Sequence, residues 1–106
     1  ADLLPRRRSL SIDQIIEVVA DFYGVPAEAI RGPRRNKELV YPRQVAMYLA
    51  REETGASLPQ IGEAFGGRDH TTVLYGIEKV QSELEHNERL RREIMAIRER
   101  LYREEK

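Results

Sequence analysis

The sequence predicts an all-α, compact helical domain of about six helices, and three observations carry that expectation. Every long segment places its apolar residues at helical period. Glycine and proline punctuate the chain where such helices must end, and no segment alternates apolar and polar residues as a half-buried strand requires. A single domain suffices. The 106 residues suit one core, and 34 % charged residues, against roughly 25 % in an average domain, suit helices with charged outer faces.

The first helix starts at Ser11, with Gln14 at the spacing of a capping box. Ile12, Ile15, Ile16, Val19, Phe22 and Tyr23 form its stripe, and Gly24 stands where a left-handed C-terminal cap is wanted. Pro26 suits the first position of a short helix through Ile30, closed by Gly32 and Pro33. Residues 34–40 carry no stripe and follow that breaker, so they read as a basic loop. Pro42 restarts a helix containing Val45, Ala46 and Leu49 and ending near Gly55. Ser57 caps a short helix from Leu58 to Phe65, with Leu58, Ile61, Ala64 and Phe65 as its apolar face, and Gly66 and Gly67 break it. Asp69 caps a longer helix with Val73, Ile77, Val80 and Leu84 on one face. Asn87 caps the last, whose stripe is Leu90, Ile94, Ile97 and Leu101.

Several classes of function are excluded early. There is no cysteine, hence no disulfide framework, thiolate catalysis or Cys-based zinc site, and with only His70 and His86 no His-rich metal site is expected. The longest apolar run, Val45 to Ala50, is far short of the roughly 18 residues a membrane span needs. No signal-peptide pattern opens the chain, which begins at Ala1 rather than Met and reads as part of something longer. The 18 Lys+Arg and 18 Asp+Glu cancel, but unevenly. Residues 11–30 hold four acids and no cation, whereas residues 31–51 hold six cations against Glu38. Such a patch attracts phosphate even on a neutral molecule, because screening hides charges beyond about 8–10 Å.

The two helices flanking Gly66-Gly67 have the layout of a helix-turn-helix. In that geometry the first residues of the second helix face base edges in the major groove of DNA. Here those residues are Arg68, Asp69, His70, Thr71 and Thr72, all polar and placed before the apolar stripe begins. A carboxylate can accept from a cytosine amino group, threonine offers a hydroxyl and a thymine-packing methyl, and the helix start offers N–H groups to phosphate. Plainer readings stand beside these. Asp69 can be only an N-cap, His70 a surface histidine, the glycines only a turn, and Arg34 and Arg35 a solvated charge pair. An enzyme is least supported, since Asp69, His70 and Thr71 are adjacent on a helix start and their side chains diverge.

The run IGEAFGGRDHTTV, Ile61 to Val73, closely resembles the DnaA family of bacterial chromosomal replication initiators. PRQVAMYL at Pro42 to Leu49 and the preceding Arg34-Arg35 resemble it too, and the likeness runs from about Ser11 to Val80. The resemblance implies a C-terminal, Trp-repressor-like DNA-binding domain over residues 11–106 that recognises short asymmetric DnaA boxes in origin duplex DNA. It puts Asp69, His70 and Thr71 at major-groove bases, Thr72 near a base or its phosphate, Arg68 beside them, Pro59 near thymine methyls, and Arg35 in the adjacent minor groove. Arg34, Lys37, Arg43, Gln44, Arg51 and Val73 take phosphate-contacting positions, although Lys37 stands where arginine is common. Gly76 stands where alanine is expected, at a cost of about 1 kcal/mol of helix propensity.

Residues 1–10 are expected to end a connector from an ATPase domain, with Arg6, Arg7 and Arg8 weakly attracted to phosphate or resting on acidic phospholipid. No G-x-x-x-x-G-K-[ST] loop is present, so no cofactor is expected on this chain, and ATP belongs to that other domain. The family implies a bacterial cytoplasmic protein and a monomeric DNA-binding domain. Two alternatives are a dimeric helix-turn-helix transcription regulator, paired through the Leu90–Leu101 stripe, and a helical protein-interaction module.

Overall fold

The computed structural model describes residues 10–33 and 36–103, so the connector expectation for residues 1–9 and those for Arg34 and Arg35 lie outside the described residues. Six helices follow one another: α1 (Ile12–Tyr23), α2 (Ala27–Arg31), α3 (Lys37–Thr54), α4 (Leu58–Ala64), α5 (His70–Leu84) and α6 (Glu88–Arg103). There is no strand among the described residues.

Most boundaries follow local chemistry. The Ser11–Gln14 capping box is formed, with Ser11 Oγ accepting from Gln14 N–H at 3.0 Å and Gln14 Oε1 accepting from Ser11 N–H at 2.8 Å. A second box, Ser57 with Gln60, opens α4, and Asn87 Oδ1 accepts from Leu90 N–H at 3.0 Å to open α6. Gly24 and Gly55 close α1 and α3 in the left-handed conformation. Pro26 is the N-cap of α2 rather than its first helical residue.

The larger departure is α3, which starts at Lys37 and not at Pro42. Pro42 removes one helical hydrogen bond. The turn ahead of it is nonetheless anchored by Asn36, whose carbonyl accepts from Leu39 N–H at 2.9 Å and Val40 N–H at 3.1 Å. That turn also buries Leu39 and Pro42, so burial outweighs the single lost bond. Much of the supposed basic loop is therefore helix.

Helix α3 is the centre of the core: Val45 to Ala50 are all buried, packed between α1 and α5. Gly76 explains itself in this setting. A Cβ there would lie 3.2 Å from Met47 Sδ and 3.3 Å from Gln44 Cγ, so glycine lets α5 close on α3 and offsets its poor helix propensity. Helix α6 lays Leu90, Ile94, Ile97 and Leu101 into the same core. Those four are at most 2 % exposed, so the stripe is used within the chain and is not open to pair with a second copy. Glu93 accepts from the Tyr23 hydroxyl at 2.7 Å and the Tyr41 hydroxyl at 3.2 Å, and burial together with Glu93 pushes the Tyr23 phenol pKa up. Arg98 to Glu53 at 2.6 Å and Arg100 to Asp21 at 2.7 Å tie the other end of α6 to α3 and α1.

Candidate nucleic-acid interface

The α4–α5 turn sets the site. The Gly62 carbonyl accepts from both Gly67 N–H at 2.9 Å and Arg68 N–H at 3.0 Å. A Cβ on Gly62 would stand 2.1 Å from the Arg68 carbonyl oxygen, so only glycine lets the chain double back this tightly. Gly66 and Gly67 complete the reversal at φ of 81° and 82°, in the left-handed region. The α5 N-terminus is thereby fixed against α4 by backbone geometry.

At that start Asp69 accepts from Thr72 N–H at 2.9 Å, which is the capping role expected of it. The backbone and side chain of Thr72 hold the Asp69 carboxyl below its ordinary pKa, so it is ionised at neutral pH. His70, Thr71 and Thr72 are exposed, as Asp69 is. Pro59, exposed in the first turn of α4, lines a shallow cleft with Glu63, Gly67, Arg68, Asp69 and His70. Five of the expected base-reading residues are thus exposed about the α4 and α5 starts: Pro59, Asp69, His70, Thr71 and Thr72. Lys37 is exposed at the first position of α3, where its charge adds to the positive end of the helix dipole instead of opposing it. Gln44 is half-buried on α3, and Arg51 is exposed with Nη1 donating to the Ala56 carbonyl at 2.7 Å.

Three residues lie differently from what the resemblance implied. Arg43 is 5 % exposed, and its Nε donates to the Ile30 carbonyl at 2.7 Å while Nη2 donates to Ala29 at 2.9 Å and Gly32 at 3.3 Å. Arg68 is half-buried and also turns inward, with Nη2 donating to Gly32 at 2.7 Å and Nη1 to the carbonyls of Phe65 and, at 3.4 Å, Arg31. The physical reason is the C-terminal end of α2. Helix-end carbonyls lack their full set of intrahelical donors, and here two guanidiniums from α3 and from the α4–α5 turn add donors to those of Ala29, Ile30, Arg31 and Gly32. Desolvation and the neighbouring Arg68 charge push the Arg43 pKa down to about 10, still cationic at neutral pH. Val73 is 0 % exposed, and its N–H donates to the Asp69 carbonyl at 3.2 Å. As the first residue of the α5 stripe it belongs to the core, and its side chain has no solvent-facing surface to offer phosphate.

The sequence reading passed over Tyr75 and Leu74, which are 62 % and 39 % exposed on α5. Their signal was positional: neither belongs to the Val73–Ile77–Val80 stripe, so both must face away from the core. Between the α2–α3 connection and α5 runs a groove whose walls include Pro33, Gln44, Thr72 and Tyr75. Among the described residues no cluster of His, Asp or Glu could hold a metal ion, and no helix is long and apolar enough to cross a membrane.

A short capped helix, a glycine turn and a second helix opening on four exposed polar residues define a helix-turn-helix domain. Comparison with known proteins gives the particular kind. The family model described as the bacterial dnaA protein helix-turn-helix matches residues 12–80, and the chain belongs to that family. It is 53 % identical over 103 residues to the chromosomal replication initiator protein DnaA of Chloroflexus aurantiacus, covering 95 % of this chain and 22 % of that protein. It is 51 % identical over 104 residues to the DnaA of Herpetosiphon aurantiacus, covering 96 % and 22 %. A crystal structure of a DNA replication initiation factor superposes with a TM-score of 0.78 at 34 % identity, covering 88 % of this chain and 28 % of that one. The chain spans about a fifth of the length of the curated relatives it matches.

Proposed function

We infer that this domain binds duplex DNA sequence-specifically, at DnaA boxes of a replication origin, as the DNA-reading part of a bacterial initiator. One observation carries the reading: the backbone-fixed start of α5 leaves Asp69, His70, Thr71 and Thr72 all exposed to solvent around the helix N-terminus. In the proposed complex Asp69, His70 and Thr71 read bases in the major groove, Thr72 contacts a base or its phosphate, and Pro59 packs near a thymine methyl. Arg35 enters the adjacent minor groove, and Arg34, Lys37, Gln44 and Arg51 contact phosphates. Arg43 and Arg68 act from beneath. By holding the carbonyls of residues 29–32 they tie the end of α2 to α3 and to the α4–α5 turn.

The domain acts as a monomer on an asymmetric box, without a cofactor and without catalysis. ATP chemistry belongs to parts of the initiator outside this chain. The test is a salt titration of binding to two labelled duplexes, one carrying a DnaA box and one a scrambled box. Preference for the box by about 4 kcal/mol or more, persisting as salt rises, is the expected result. Equal affinities that fall together with salt would leave only a basic surface meeting phosphate, and would overturn the reading.

A further inference from the structure

We propose that Tyr75 is a DNA-backbone contact, its phenol hydroxyl donating to a phosphate oxygen beside the groove that α5 enters. The proposal rests on the DNA-binding reading above and extends the contact surface one turn along the recognition helix.

Four of the five tyrosines have their hydroxyls engaged within the fold. Tyr23 and Tyr41 donate to Glu93, Tyr102 donates to Glu53, and the buried Tyr48 is hydrogen-bonded to Arg98. Tyr75 is the exception. Its ring is 62 % exposed, and among the described residues no group meets its hydroxyl. A tyrosine left in water with an unused donor is poor value for stability but well suited to an interface, where the ring supplies contact area and the hydroxyl a directed bond.

Its place on the helix says which interface. Tyr75 follows Thr71 by four residues and Thr72 by three, so it lies on the same face of α5, about 4.5–6 Å farther from the helix start. It borders the groove that Thr72 and Gln44 also line. When a recognition helix inserts by its N-terminus, its first turn meets base edges and the next turn comes level with the sugar-phosphate wall. Tyrosine hydroxyls are among the ordinary donors to phosphate oxygens. The chemistry also separates this contact from the cationic ones, because a neutral phenol releases no counterion.

The test uses Tyr75→Phe on the box and scrambled duplexes. The variant is expected to bind both about five- to tenfold more weakly, with the salt slope unchanged. Replacing backbone phosphates one at a time by neutral methylphosphonate then locates the contact. At one position the wild type loses affinity while Tyr75→Phe does not. Because Tyr75 lies outside the core, the variant should melt with the wild type, and circular dichroism checks this. Equal binding by wild type and variant would overturn the proposal. So would a loss confined to the box, which marks a base reader, or a methylphosphonate profile shared by both proteins. Failure of the wild type to prefer the box would instead sink the parent reading, so the two failures are distinguishable.

Discussion

Replacing Arg68 by alanine distinguishes a side chain that faces DNA from one that holds the fold together. The guanidinium donates to the Gly32 carbonyl at 2.7 Å and to the Phe65 carbonyl, with a longer contact of 3.4 Å to Arg31. A charged donor to a protected carbonyl is worth about 1.5–3 kcal/mol, but Arg68 is only half-buried, which reduces each short bond to about 1 kcal/mol. Removing it also relieves the repulsion it exerts on Arg43, returning part of the loss. The net expectation is a destabilisation of about 1–2 kcal/mol, read by urea unfolding followed by circular dichroism without any DNA present. Arg68→Lys should recover little of it, because one compact ammonium cannot span carbonyls from two elements. Arg43→Ala should cost more, about 2–3 kcal/mol, since that guanidinium is nearly fully buried and its removal takes its bonds from the carbonyls of Ile30, Ala29 and Gly32. If Arg68→Ala unfolded within about 0.5 kcal/mol of wild type while losing DNA affinity, the inward geometry would be refuted and the guanidinium would belong to the DNA surface.

Two further outcomes follow from the site. Gly62→Ala forces a Cβ to 2.1 Å from the Arg68 carbonyl oxygen, which must displace the turn and its two bonds to the Gly62 carbonyl. A loss of about 3 kcal/mol or more is expected in thermal or urea melts, and a fully stable variant would contradict the turn. The lowered Asp69 pKa implies stability present above the ordinary carboxylate value and lost as pH falls through the folded value. Asp69→Asn still caps α5 but does not titrate, so its acid-unfolding curve should lack that component, and identical curves for the two proteins would count against the cap as an ionised group.

What could be read from the sequence was governed by how far each interaction reaches along the chain. The Ser11, Ser57, Asp69 and Asn87 caps and the left-handed Gly24 and Gly55 act within three or four residues, and each was found where the residue types placed it. Pro42 misled because proline chemistry is local, whereas burial of Leu39 is decided by the rest of the core. The direction of Arg43 and Arg68 was out of reach for the same reason. Their carbonyl partners lie 11–14 residues away for Arg43 and, at Gly32, 36 residues away for Arg68, and only the folded chain brings those helix-end carbonyls beside them. Val73 was legible as core from its place at the head of an apolar stripe, and its side chain is buried there. Gly76 looked costly until the distance to Met47 was known. Tyr75 was legible in principle, as the aromatic residue that the α5 stripe leaves outside.

The central claim is that the exposed start of α5 reads bases, and His70 tests it most directly because it is exposed and Asp69, not His70, makes the cap. His70→Ala should therefore keep the wild-type melting curve. The decisive measurement is its affinity for the box and the scrambled duplex at two salt concentrations. The account predicts that discrimination between the two falls by about tenfold or more while binding to the scrambled duplex barely changes. Equal weakening on both duplexes, or undiminished discrimination, would mean that this helix does not read the sequence.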